Sequence, residues 1–150
     1  MLIQQLLTPN STLSGVDGVS KKRVLEIISH QVATLNTELD PDDVFSGLIG
    51  REKLGSTGIG SGVAIPHCRC TGCTQPLAVL MTLDEPIDFD SLDSKPVDML
   101  FTLVVPEEAT EEHLQLLASV AELFSNEGAC KRLREATSNE ALFDTINTLH

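Results

Sequence analysis

Two helices are predicted in the first third of the chain from the spacing of its apolar residues. The first follows Ser20, a good helix N-cap, and the second follows Asp40, with Pro41 at its first position. Both segments repeat apolar residues three and four positions apart, which places them on one helix face. These residues are Leu25, Ile28, Val32 and Leu35, then Val44, Phe45, Leu48 and Ile49. Residues 1–19 are polar and rich in turn formers, which predicts a turn-rich lead-in.

The middle of the chain changes to short, nearly continuous apolar runs, which are typical of strands covered on both faces. These runs span 77–83 and 97–105, and Pro86 together with the acidic segment 88–93 is expected to connect them. Both runs are far too short to cross a bilayer, so no membrane insertion is expected.

The last third returns to helical spacing. Three more helices are predicted: one capped by Thr110, one over 129–136, and one over 139–149 that follows Ser138. The order of elements predicts one α/β domain over residues 1–150, with a small, mainly mixed β-sheet between two layers of helices.

The charge of the chain limits its partners. Asp and Glu number 22 against 10 Lys and Arg, which gives a formal net charge of −12. This surface repels nucleic-acid backbones and anionic lipids, so neither is an expected partner, whereas proteins with a basic patch are favoured. The N-terminal residues lack the basic start of a secretory signal, so we expect a cytoplasmic protein with reduced cysteines.

Four glycines lie within residues 55–62, shortly before Pro66 and His67. Their spacing differs from that of dinucleotide-binding, P-loop and esterase motifs. Glycine lets a backbone approach a ligand closely, so the N–H groups of this stretch are expected to point at an anion. A neutral imidazole is a nucleophile that can form covalent intermediates. The residues alone leave open whether His67 accepts phosphate or is a loop histidine with a structural hydrogen bond.

A second cluster begins at the same histidine. Cys68, Cys70 and Cys73 follow His67 within seven residues. One His and three Cys can bind zinc, and C-x-x-C spacing is also found in redox sites. Ligands so close in sequence are hard to fold around one tetrahedral ion. We therefore predict reduced thiols in a turn before a strand, no metal, and a zinc or redox module as the minor alternative.

The segment from Arg51 to His67, REKLGSTGIGSGVAIPH, resembles the phosphorylation-site motif of enzyme IIA domains of the fructose–mannitol type. These domains belong to the bacterial phosphoenolpyruvate-dependent phosphotransferase system. More narrowly, the chain resembles the stand-alone, nitrogen-related enzyme IIA. The similarity covers most of residues 20–147. Its further segments are 86–90, 96–100, 104–106, 113–117 and 132–134.

The resemblance implies that His67 takes a phosphoryl group from the phosphohistidine of an HPr-type phosphocarrier protein. It implies that His113 stabilises this group and that Arg51 matches the arginine upstream of the family's glycine stretch, and it implies no metal or cofactor. The other phosphate-binding candidates are Ser56, Thr57 and Gly58. The alternatives are a solvated first-turn histidine, an exposed arginine at a helix end, and hydroxyls that only cap turns.

Two roles follow from this resemblance. The first is a phosphotransferase component that acts mainly as a regulator, with targets such as kinases or potassium-transport components. The second is a sugar-transport enzyme IIA that passes phosphate to a separate IIB chain. The single domain, without a IIB-like segment, favours the regulator. The remaining histidines, His30 and His150, are expected at the surface.

Overall fold

The structure is a computed structural model that describes residues 3–108 and 111–149, with the side chain of Glu112 left out. In this part of the chain, a six-stranded mixed sheet lies between two layers of helices, which confirms the predicted architecture. The strands are β1 (Thr12–Val16), β2 (Gly58–Gly60), β3 (Val63–Ala64), β4 (His67–Cys70), β5 (Leu77–Ile87) and β6 (Val97–Pro106). The helices are α1 (Lys21–Leu35), α2 (Pro41–Glu52), α3 (Glu111–Phe124), α4 (Glu127–Glu135) and α5 (Asn139–Thr148). The predictions for Thr110 and His150 lie outside the described residues.

Strand β6 is the centre of the sheet. The strand order is β1-β5-β6-β3-β2, and β4 pairs with β6 as well. Strand β5 is antiparallel to β6, whereas β3 and β4 are both parallel to it. Val63 lies opposite Met99, and His67 lies opposite Leu103. Strands β3 and β4 therefore follow one another along the same edge of β6, and the break between them includes Pro66, which has no N–H to donate.

The sheet separates two apolar cores. Along β6, successive side chains alternate between them, because neighbouring residues of a strand point to opposite faces. Phe101 and Leu103 pack with α3, α4 and α5, whereas Leu100 and Val104 pack with α1 and α2. This arrangement explains why the sequence of β6 is almost continuously apolar, and it confirms that the strand is covered on both faces.

The helix starts are fixed by side-chain caps. Ser20, Asp40 and Ser138 each accept a hydrogen bond from a backbone N–H in the first turn of the helix that follows, as their positions predicted. Asn126 caps α4 in the same way, so this helix begins two residues before the predicted start at 129. None of the described helices is long and apolar enough to cross a membrane.

The prediction of a turn-rich lead-in was wrong for residues 12–16, which form β1 beside β5. The polar side chains in this strand concealed it. Thr12 Oγ1 donates to the carbonyl oxygen of Asn139 at 2.9 Å, and Ser14 N donates to the Asn139 Oδ1 at 2.7 Å. Strand β1 is therefore fastened to the start of α5 by hydrogen bonds rather than by an alternating apolar pattern.

Two further boundaries differ from the predictions. Pro86 belongs to β5 and not to the connection, because β5 continues to Ile87 through an irregularity in its pairing with β6. A proline is tolerated at such a position, where its missing N–H disrupts no ladder. Cys68 and Cys70 lie in β4 rather than in a turn, whereas Cys73 lies in the turn region that follows.

Replacing Phe101 with alanine is expected to lower the free energy of unfolding by about 3–5 kcal/mol. Phe101 is fully buried, and its ring centroid lies 5.6 Å from that of Phe124, so truncation leaves a cavity that the core cannot fill. Urea denaturation measures the loss. Leu92→Ala is the control, because Leu92 is 89% exposed and its loss should change stability by less than about 0.5 kcal/mol. Equal stabilities of the two variants would contradict this description of the core.

Candidate functional site

His67 is held in one orientation by hydrogen bonds to both of its ring nitrogens. Nδ1 lies 2.8 Å from the carbonyl oxygen of Ile65. Because a carbonyl oxygen only accepts hydrogen bonds, Nδ1 must carry the hydrogen. In the neutral ring Nε2 then has the lone pair, and it accepts a hydrogen bond from Arg51 Nε at 3.3 Å. Nε2 is therefore the ring nitrogen that carries the lone pair.

Arg51 lies in the last turn of α2, where a cation interacts favourably with the helix dipole. Its side chain is half-buried, and Nη1 also donates to the carbonyl oxygen of Gly55 at 2.9 Å. Arg51 is therefore not a free arginine at a helix end. The guanidinium is placed against Nε2 of His67, and a guanidinium is well suited to binding an anion.

His67 and Arg51 line a cavity of about 400 Å³ that also contains His113. His113 lies in the first turn of α3, as predicted, and its side chain is half-buried. The structure thus brings together three of the candidates that the sequence identified, from α2, β4 and α3. No Asp or Glu occurs among the described residues that line this cavity, although the chain carries a net charge of −12.

Arg69 also lines the cavity, and the sequence analysis missed it. Residues two apart in a strand share a face, so Arg69 projects on the same side of β4 as His67. The side chain is exposed, whereas Cys68 and Cys70 on the opposite face are buried. The signal that would have identified Arg69 is this two-residue spacing, which was hidden because the segment was expected to be a turn.

The glycine-rich stretch leads into and forms the β2–β3 hairpin, and part of its backbone is hydrogen-bonded within the protein rather than free for an anion. Five N–H groups between residues 55 and 65 donate to acceptors within the protein. They are Gly55 N to Glu52 O, Thr57 N to Glu52 Oε1, Gly58 N to Ser56 Oγ, Ser61 N to Asp93 Oδ2 and Ile65 N to Thr57 O. The Arg51 side chain adds positive charge directly beside His67.

The three remaining candidates have contacts of their own. Ser56 Oγ donates to the carbonyl oxygen of Phe89 at 2.7 Å, and Thr57 Oγ1 donates to the buried carboxylate of Glu52. Gly58 is packed against Ser91, whose Oγ would lie only 2.2 Å from a Cβ added to the glycine. All three residues line a second depression beside His67, but their described hydrogen bonds hold the loop together.

The tip of the hairpin is fixed from two sides. Ser61 N donates to Asp93 Oδ2 at 3.0 Å, and this bond, followed by that from the Lys95 N–H, lowers the pKa of Asp93. On the other side, Arg134 Nη2 donates to the carbonyl oxygen of Ser61 at 2.8 Å and pairs with Asp98. The segment that leads to His67 is therefore attached to both α4 and the β5–β6 connection.

The cysteine cluster is neither metal-binding nor reactive in geometry. All four cysteines are free and buried. Burial, the largest effect, raises the pKa of Cys68 to about 12, and it also raises the pKa of Cys70 and Cys73. Among the described residues, no three His, Cys, Asp or Glu side chains are arranged to hold a metal ion. The zinc alternative therefore has no ligand set, and the redox alternative lacks an accessible thiolate.

Exposed apolar side chains surround the site. The described residues include five large apolar side chains that are exposed, and four of them line the two depressions beside His67. These four residues, which we call the apolar rim, are Leu54, Ile59, Leu92 and Leu114. The fifth, Val19, lines neither depression. Exposed apolar side chains concentrated in this way are typical of surfaces that contact other proteins.

Comparison with known proteins identifies the family of the chain. Residues 5–148 match the family described as "Phosphoenolpyruvate-dependent sugar phosphotransferase system, EIIA 2". The chain belongs to this family. The match includes the hairpin, β4 and the start of α3, so every residue placed at the cavity lies within the family domain.

The similar proteins include regulators with this enzyme IIA fold. The chain is 51% identical over 144 residues to a nitrogen regulatory protein of Pseudomonas aeruginosa, covering 96% of this chain and 94% of that protein. The crystal structure of nitrogen regulatory protein IIA-Ntr from Neisseria meningitidis superposes with a TM-score of 0.90 at 38% identity, covering 97% and 99% of the two chains. IIA mannitol from Escherichia coli has the same fold, with a TM-score of 0.76 at 19% identity over 93% and 98%.

The native protein is expected to react slowly with a thiol reagent such as DTNB at pH 8. Burial keeps the thiols protonated, since the pKa of Cys68 rises from an ordinary 9.0 to about 12. Unfolding in urea should release all four thiols at once. Folding also favours the protonated thiol, so stability should decline as the pH rises above about 9.

Arg69→Cys is the matched control for this measurement. It places one exposed cysteine between two buried ones on the same strand, and this thiol should react rapidly in the native state. Rapid reaction of the parent protein at the rate of the Arg69→Cys thiol would contradict the buried, protonated state of the cluster.

Proposed function

We propose that this enzyme IIA accepts a phosphoryl group on Nε2 of His67 from the phosphohistidine of an HPr-type phosphocarrier protein. The observation that carries the proposal is the pair of hydrogen bonds on the imidazole. The Ile65 carbonyl oxygen holds Nδ1–H, and Arg51 lies against the lone pair of Nε2. This ring is oriented for attack from one nitrogen only.

In the proposed step, the lone pair of His67 Nε2 forms a bond to phosphorus. The bond between phosphorus and the donor's histidine nitrogen breaks, and its electron pair returns to the donor ring, which is protonated on its other nitrogen and therefore leaves as a neutral imidazole. The accepting ring becomes positively charged, and the Ile65 carbonyl oxygen stabilises this charge through its bond to Nδ1–H. Transfer between two histidines is nearly balanced in energy, so positioning and charge stabilisation suffice.

Arg51 and His113 are the proposed phosphate-binding side chains. The Arg51 N–H that now bonds to Nε2 would turn to the phosphoryl oxygens as the new bond forms, because the lone pair is then used. His113 lies in the same cavity, and its position in the first turn of α3 adds the favourable field of a helix N-terminus. Ser56, Thr57 and Gly58 support the loop in this proposal.

The apolar rim is the proposed docking surface for the phosphocarrier protein. It surrounds His67, so a protein seated on it would bring its own phosphohistidine to the cavity and exclude water from the transfer.

The phosphorylation state is the proposed output of the protein. The support is its 51% identity, over nearly the full length, to a nitrogen regulatory protein. A phosphoryl group would add negative charge to a cavity that has no described carboxylate, which changes the electrostatic potential that a partner meets. The resemblance of the sequence implies kinases or potassium-transport components as the partners that read this change.

Incubation with a phosphorylated HPr-type donor should add one acid-labile phosphate, measured by mass spectrometry. His67→Ala should gain none, because it removes the accepting nitrogen. His113→Ala should still gain phosphate, at a rate lower by about 10²-fold, since it loses one stabilising donor. His30→Ala is the control, as His30 is exposed on α1 and is not among the residues that line the cavity. Phosphorylation of His67→Ala at the parental rate would disprove the proposal.

Removing part of the apolar rim should weaken donor binding without changing the chemistry. The double variant Leu54→Ala/Leu92→Ala is expected to raise the donor concentration for half-maximal rate by about fivefold or more, with the maximal rate retained. Val19→Ala, which shortens the exposed apolar residue outside the rim, should leave this concentration unchanged. An equal effect of the two changes would show that the donor binds elsewhere.

A further inference from the structure

Glu52 is a buried carboxylate that the proposed transfer does not use. Only 8% of the residue is exposed, and it is the last residue of α2, next to Arg51. A charge in such a place is strongly unfavourable unless it is paired and hydrogen-bonded. The residues that contact Glu52 therefore indicate the role of its side chain.

The described partners of Glu52 come from α1 and from the loop before the β2–β3 hairpin. Lys21 Nζ lies 3.0 Å from Oε1, and Thr57 N donates to the same oxygen at 3.1 Å. Thr57 Oγ1 donates to Oε2. Both carboxylate oxygens are thus engaged, and both polar hydrogens of Thr57 are directed at one side chain.

Lys21 is itself fixed in place. Its Nζ lies 4.5 Å from the centroid of the Phe89 ring, and it donates to the carbonyl oxygen of Phe89 at 3.4 Å. The same carbonyl oxygen accepts a hydrogen bond from Ser56 Oγ. The Ser56–Thr57 dipeptide is therefore clamped to two neighbouring anchors, the Phe89 carbonyl group and the Glu52 carboxylate.

Three hydrogen bonds, joined through the backbones of Thr57 and Ile65, lead from this carboxylate to the imidazole. The carbonyl oxygen of Thr57 accepts from Ile65 N at 3.0 Å. The carbonyl oxygen of Ile65 then accepts from His67 Nδ1 at 2.8 Å. At the other end, Glu52 adjoins Arg51, which contacts Nε2. Glu52 therefore connects the two groups that hold the two nitrogens of the same ring.

We propose that Glu52, paired with Lys21, is a positioning residue that fixes His67 in its Nδ1–H tautomer through Thr57 and Ile65. The inference rests on the proposed acceptance of phosphate at His67 and explains why Nε2 is the nitrogen available. If Thr57 shifts, Ile65 shifts with it, because the Ile65 N–H is bonded to the Thr57 carbonyl oxygen. The His67 ring then loses the Ile65 carbonyl oxygen as the acceptor that keeps the hydrogen on Nδ1. The second tautomer then becomes populated, and its Nε2 has no lone pair for attack.

Thr57→Val tests this role, because it keeps the shape and the N–H bond to Oε1 but removes the hydroxyl bond to Oε2. We expect two-bond ¹H–¹⁵N spectra to show a single Nδ1–H tautomer of His67 in the parent and a mixture in the variant. The signals are assigned by their loss in His67→Ala. The maximal rate of phosphate acceptance should fall about tenfold, the effect of one hydrogen bond to a charged group, with donor binding unchanged. Thr57→Ser should restore both properties.

Thr12→Val is the matched control. Thr12 is also a buried threonine whose hydroxyl joins two elements, but it lies in β1, and its partner is Asn139. This change should lower the stability of the protein but leave the His67 tautomer and the rate of phosphate acceptance as they are in the parent. Glu52→Gln is a second, nearly isosteric variant, in which the amide NH₂ faces Thr57 Oγ1 in place of Oε2. It should show a smaller proportion of the second tautomer than Thr57→Val, and a rate of phosphate acceptance between those of Thr57→Val and the parent protein.

If folded Thr57→Val or Glu52→Gln kept a single Nδ1–H tautomer and accepted phosphate at the parental rate, the positioning role would be overturned. Glu52 would then be a structural residue. The tautomer is measured on the unphosphorylated protein, so it does not depend on the transfer. Phosphorylation of His67→Ala would refute the proposed function, whereas an unchanged tautomer in Thr57→Val would refute only the role of Glu52.

Discussion

The parallel pairing of β3 and β4 along a single edge of β6 is the constraint on which the site depends. Strand β6 is buried on both faces and carries residues of both apolar cores, so it cannot shift without disturbing each core. The ladder is interrupted at Ile65 and Pro66, between the residues opposite Leu100 and Leu103. At this interruption the carbonyl group of Ile65 is turned to the His67 ring, and the carbonyl group of Pro66 accepts from Leu103 N. The interruption of the pairing with β6 thus frees the Ile65 carbonyl group to orient the imidazole.

Electrostatics adds the second requirement. The chain is strongly acidic, yet the described lining of the cavity contains two arginines, two histidines and no carboxylate. The buried charge closest in sequence to the site, Glu52, is neutralised by Lys21 and turned into the protein. An incoming phosphoryl group would therefore meet cations at short range, while the acidic remainder of the surface disfavours polyanions in general. Local and overall charge serve different purposes in this molecule.

Much of the fold followed from local signals. The caps Ser20, Asp40 and Ser138 start helices because their side chains satisfy free N–H groups, and this property is visible in the sequence. Strand β1 was not predictable in this way, since Thr12 and Ser14 are polar and their bonds to Asn139 join residues far apart in the chain. Pro86 was misplaced because tolerance of a proline depends on where a partner strand lies.

The candidate site was predictable to a similar degree. The motif that ends at His67 identified the residue, but not which ring nitrogen is held, because this depends on the Ile65 carbonyl group folding back onto the ring. Glycine spacing suggested free N–H groups, whereas several of them, including those of Thr57 and Gly58, bond within the protein. Glu52 is not distinctive as a sequence feature, since a glutamate at a helix end is usually solvated, and its burial and its contacts with Lys21 and Thr57 are visible only in the structure.

The exposed position of Leu92 has an optical consequence. The chain contains no Trp and no Tyr, so it is almost transparent and non-fluorescent in the near ultraviolet. Leu92 lies in the apolar rim with 89% of its surface open to water, and a tryptophan at this position would be accommodated without disturbing either core. Its emission would come from a single place, in the depression that His67 also lines. Because the native chain has almost no fluorescence of its own, the emission of one introduced tryptophan would measure the docking of a partner protein in real time.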